Sequence, residues 1–140
     1  MKKITVIFSL AIFLLLNSVQ VIGNEVVVKS GHLNKAFSSW GKPSLQGSWK
    51  IVTTEEKTFI ELGEDFKAKD GPDVKIFLSP QASENITGKN ATEGSIFIRQ
   101  IFVFEGKTRI EFPTGIRLDD YQSLVFHCEE YSKLWGVSPL

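Results

Sequence analysis

From Gly47 to Leu140 the chain is cut into short apolar pieces by turn-forming residues, and no piece keeps the 3.6-residue period of a helix. Ser48–Thr54 alternates apolar Trp49 and Ile51 with polar Ser48 and Lys50, the period of a half-buried strand. Glu55-Glu56 forms a turn, and Thr58–Leu62 alternates again. Lys69-Asp70-Gly71-Pro72-Asp73 is a strong turn, because glycine relaxes the backbone and proline fixes φ. Val74–Leu78, Ser95–Phe104, Thr108–Phe112, Ser123–Cys128 and Tyr131–Val137 read as further strands. Glu105-Gly106-Lys107 reads as a hairpin turn, Gln81–Glu93 as a structureless polar loop, and Asp119-Asp120 as the cap of one helical turn. Seven or eight short strands of this kind predict an all-β sandwich or small barrel. Residues 24–46 read as a lead-in, with Val26–Val28 a candidate strand, and 47–140 as the β domain.

The first residues read as an address. Met1-Lys2-Lys3 is basic, Ile4–Leu16 is apolar, and Val21-Ile22-Gly23 closes the stretch with small and apolar residues. That order is the order of a secretory signal peptide over residues 1–23. Its apolar core is shorter than the ~20 residues a helix needs to cross a bilayer. The expectation is export to a periplasmic or extracellular compartment, with membrane attachment only if this segment stays uncut.

Charge and cysteine content exclude several functions. Sixteen basic and sixteen acidic side chains balance, so no general electrostatic case for nucleic acid exists. One Cys cannot build a disulfide framework within a chain, and two His leave too few ligands for a structural zinc site. No phosphate loop, nucleophile elbow or paired-histidine metal motif occurs, so an enzyme is the less favoured class. Glu64, Asp65, Asp70 and Asp73 form a loose acidic group that matches no calcium loop.

The residue that invites chemistry is Cys128, in Leu124-Val125-Phe126-His127-Cys128-Glu129-Glu130-Tyr131. Alternation puts Leu124, Phe126 and Cys128 on one apolar face and His127 on the other. The two should therefore not act as base and nucleophile together. Cys128 is a small core hydrophobe, a functional thiol acting as a redox group or as ligand of a prosthetic group, or one half of an intermolecular disulfide. Tyr131 and Trp135 are the aromatic candidates for packing a cofactor beside it. No Cys-x-x-Cys-His motif is present, so a haem would be held without covalent attachment.

Gly47-Ser48-Trp49-Lys50-Ile51-Val52, the run Phe66–Ser79, the run Phe112–Cys128 and Tyr131–Leu140 together resemble the DM-thirteen domain, a small extracytoplasmic module also found in Skeletor-like proteins. The resemblance implies a β-rich fold with a hallmark Cys near the C-terminus, at Cys128 here. It also implies electron transfer through that Cys, as a bare thiol or by holding a group such as haem, with an unidentified redox partner. The family usually has an aromatic just before the Cys, where this chain has His127. A non-catalytic binding or structural module, with Cys128 as core packing, is the alternative.

Overall fold

The computed structural model describes residues 24–33 and 45–140; the segment read as a signal peptide lies outside them. Nine strands are present among the described residues: β1 (Val26–Leu33), β2 (Leu45–Thr53), β3 (Thr58–Leu62), β4 (Lys67–Ala68), β5 (Val74–Ser79), β6 (Ile96–Gln100), β7 (Thr108–Glu111), β8 (Ser123–Cys128) and β9 (Lys133–Pro139). Helical structure among the described residues is limited to two single 3-10 turns, Ser83–Asn85 and Leu118–Asp120. The all-β expectation is borne out, as two antiparallel sheets.

One sheet runs β1-β2-β3-β7, with β4 paired to the start of β2; the other runs β6-β5-β8-β9. Inward residues of both sheets meet in one core. Trp49, Ile51, Ile60, Leu62 and Ile110 come from the first sheet, and Val74, Ile76, Leu124, Phe126 and Trp135 from the second. All but Trp135 are positions that period-2 alternation turns inward. Gly47 lets β2 pass under Phe66: its φ is +120°, and a Cβ there would lie 2.5 Å from the Phe66 Cα.

Four sequence expectations change. β1 extends to Leu33 and pairs with β2, so part of the lead-in is sheet. Glu105-Gly106-Lys107 does not close a hairpin, because β6 pairs with β5 and β7 pairs with β3 in the other sheet. The segment between them instead crosses over, held where Gly106 N–H donates to the Phe66 carbonyl and Ala68 N–H to that of Phe104. Asp119 and Asp120 lie inside their 3-10 turn, with Arg117 in the cap position and no side-chain cap bond.

The stretch 81–93 is the fourth. It is ordered, and Asn90 organises it. The Asn90 side-chain oxygen Oδ1 accepts from the Thr87 N–H and hydroxyl, while its side-chain Nδ2 donates to Gln81 Oε1 and the Asn85 carbonyl. The loop turns Ile86 and Ala91 down onto Phe77, Val125, Leu134 and Val137, a second apolar cluster on the outer face of the β5–β8–β9 sheet. Every residue of β8 is consequently buried.

Candidate functional site around Cys128

β8 sits between β5 and β9, with Val74 and Lys133 the register partners of Cys128. Cys128 is the last residue of β8 and points inward, as alternation requires. It is 0% exposed and belongs to the main core with Leu124, Phe126, Val74 and Trp135. Its core neighbours on that side are apolar.

Trp135 is a bulge residue. The β8–β9 register shifts between Phe126 and His127, which pair with Gly136 and Leu134 and leave Trp135 between them. The shift turns the indole inward, where it is 1% exposed and its Nε1–H donates to the Lys69 carbonyl at 2.7 Å. Gly71 makes room for it, since a Cβ at that position would lie 2.9 Å from Cζ2 of the indole. Tyr131 behaves differently: it lies in the β8–β9 turn and is 53% exposed. The structure therefore brings Cys128 and Trp135 into one core and leaves Tyr131 outside it.

His127 faces the other way, under a charged cap. It is 4% exposed, and its Nδ1 has no hydrogen-bond partner. The ring bonds the Lys133 backbone, and burial holds its pKa below the ordinary value of 6.5, against the pull of Glu129 and Asp73. Lys75, its register partner on β5, is tied to both Asp73 and Glu129, and these contacts raise the lysine's pKa. Sequence reasoning placed His127 on the second face. It missed that this face is also closed, because that depends on residues 81–93 folding down.

A haem or metal held by Cys128, which the resemblance implies, does not fit this arrangement. The sulfur has no exposed surface, side chains fill the space around it, and the nearest imidazole points to the opposite face. No group of three or more His, Cys, Asp or Glu side chains converges as a metal site among the described residues. In the acidic group, Asp65 accepts from the Ser48 N–H and hydroxyl, and Asp73 is tied to Lys75.

A groove lies elsewhere, between β7 and the segment 99–103. It holds about 540 Å³, and Phe59, Ile101, Phe102 and Arg109 are among its lining.

Comparison with curated proteins finds no match, and neither does comparison with solved structures. The chain does match one family model, described as electron transfer DM13, over residues 36–140. That span takes in the whole two-sheet domain from β2 onward, with Cys128 and Trp135 in it, and bears out the resemblance carried by the sequence motifs. The chain belongs to the electron transfer DM13 family.

Proposed function

We propose that this chain is an exported electron-transfer module whose redox residue is Cys128, reached by local opening of the β8–β9 tip. Membership of an electron-transfer family supports the class of function. The observation that carries the mode is the place of the sulfur. Cys128 is sealed, yet it ends β8, and the next four residues, Glu129–Ser132, are an exposed turn. Strand ends and turns open at far lower cost than whole domains do. Partial parting of Cys128 from Lys133 would therefore uncover the thiol while the core stays folded.

With one sulfur in the chain, thiol–disulfide exchange leads to a mixed disulfide with the partner. The Cys128 thiolate attacks one sulfur of a partner's disulfide, and the other sulfur leaves as a thiolate. The exposed Tyr131 at the tip would then lie beside the partner. The basic start and apolar run of residues 1–23 support export.

The alternative keeps Cys128 as packing in a binding or structural module, and its complete burial favours that reading. Labelling with an aromatic disulfide reagent across a urea series separates the two. Local opening predicts a labelling rate that is flat at low urea and rises only when global unfolding takes over. A rate that follows global unfolding from the first addition of urea overturns the redox proposal and leaves the module. A Soret band in protein purified aerobically would overturn the bare-thiol mode.

A further inference from the structure

We propose that β7 pairs edge to edge with β7 of a second copy of this chain. The inference stands apart from the redox reading and rests on three observations.

The first is an open edge. β7 ends its sheet, with β3 on its only paired side among the described residues. Phe112 N–H donates to the Thr58 carbonyl, which makes that a hydrogen-bonded pair. Pairs of the two kinds alternate in an antiparallel ladder. Ile110 therefore also bonds β3, opposite Ile60, while the N–H and C=O groups of Arg109 and Glu111 point away from the sheet. These are two donors and two acceptors at strand spacing, a template for one more strand.

Charge self-complementarity is the second. A two-fold axis through Ile110 sets Arg109 opposite the second copy's Glu111, and Glu111 opposite its Arg109. These are the same two residues whose backbone groups face outward, so hydrogen bonds and charge pairs share one register. Ile110 then meets its own copy on the inner face, with Thr108 opposite Phe112, and the apolar side of the sheet continues across the axis.

The third is room and cover. The groove of about 540 Å³ flanks this edge, on the side where the added strand would lie. Phe102 and Val103 line it and are 77% and 51% exposed, an apolar rim that a second copy would cover. A foreign extended peptide would find the same backbone template without the matched Arg109–Glu111 charge pairs.

Sedimentation equilibrium on the folded chain tests the proposal through charge reversal. Wild type is expected to dimerise reversibly. Glu111→Arg sets Arg against Arg twice and should weaken the dimer about tenfold or more. Arg109→Glu combined with Glu111→Arg restores opposite pairs and should restore the dimer. Arg109 also binds Glu25 and Glu61, and Glu111 binds Lys57, so circular dichroism checks that both variants fold. Hydrogen exchange on wild type gives an independent readout. Amide protection of Arg109 and Glu111 should rise with protein concentration, while Ile110 is protected throughout. A monomer at every concentration, a dimer indifferent to Glu111→Arg, or association without protection of those two amides overturns it.

Discussion

Replacing His127 with Phe should flatten the dependence of stability on pH between neutral and mildly acid conditions. The imidazole is 4% exposed, and its depressed pKa means that the folded protein resists a proton the unfolded chain accepts. The stabilising form is therefore neutral. Its contribution is complete above the unfolded value of 6.5 and is lost as the pH falls from there toward the lower folded value. Within that window one such group changes unfolding free energy by at most about 1.4 kcal/mol per pH unit. Glu129, the Lys133 backbone and Asp73 favour the charged form, and burial outweighs them.

Phe removes the titration and the orphaned Nδ1, whose burial costs about 1–3 kcal/mol, and gives up the bond to the Lys133 backbone, worth about 1 kcal/mol. Near pH 7 the variant should thus match the wild type or exceed it by up to about 2 kcal/mol. By about pH 5 the variant should have gained on the wild type relative to neutrality, by at most about 2 kcal/mol. Urea unfolding followed by tryptophan fluorescence measures this. The range stops there because the carboxylates with lowered pKa values, Glu25 and Asp65, act below their ordinary 4.5 and 3.8. Parallel stability curves for the two proteins across the window would refute the account of His127.

Other perturbations have equally definite outcomes. Cys128→Ser puts a hydroxyl among apolar side chains and should cost about 1–3 kcal/mol in urea unfolding, more than Cys128→Ala if the sulfur serves only as packing. Gly88→Ala would bring a Cβ to 2.5 Å from the Ser132 carbonyl oxygen at the β8–β9 tip. It should destabilise by about 1–3 kcal/mol and speed native-state labelling of Cys128. Asp65→Ala removes the acceptor of the Ser48 N–H and hydroxyl, so it should destabilise at neutral pH. Because the folded pKa of Asp65 is lowered, the deficit should be present above 3.8 and shrink as the pH falls through the folded value.

Much of the fold was legible because strands declare themselves locally. Thr58–Leu62 and Ser123–Cys128 are observed with the bounds that alternation and flanking turns set. The inward direction of Cys128 followed from the same two-residue period. Partnerships were not legible, since they are decided by residues distant in sequence. Glu105-Gly106-Lys107 has the residues of a hairpin turn, and Gly106 takes a φ of +80°. The segment is instead captured by Phe66 and Ala68, about forty residues earlier. The polar composition of 81–93 hid Ile86 and Ala91, two small anchors sufficient to seat the loop on the sheet. Trp135 turns inward through a bulge, which alternation alone does not foresee.

The order of strands has a kinetic consequence. β7 completes the first sheet only after β5 and β6 have begun the second, and β8 and β9 then return to finish that one. Neither layer is a contiguous stretch of chain, so neither can mature as an early independent unit. Wide sequence separation of this kind makes assembly slow and cooperative. Fragments ending before Thr108 should emerge with an exposed β3 flank and a tendency to clump.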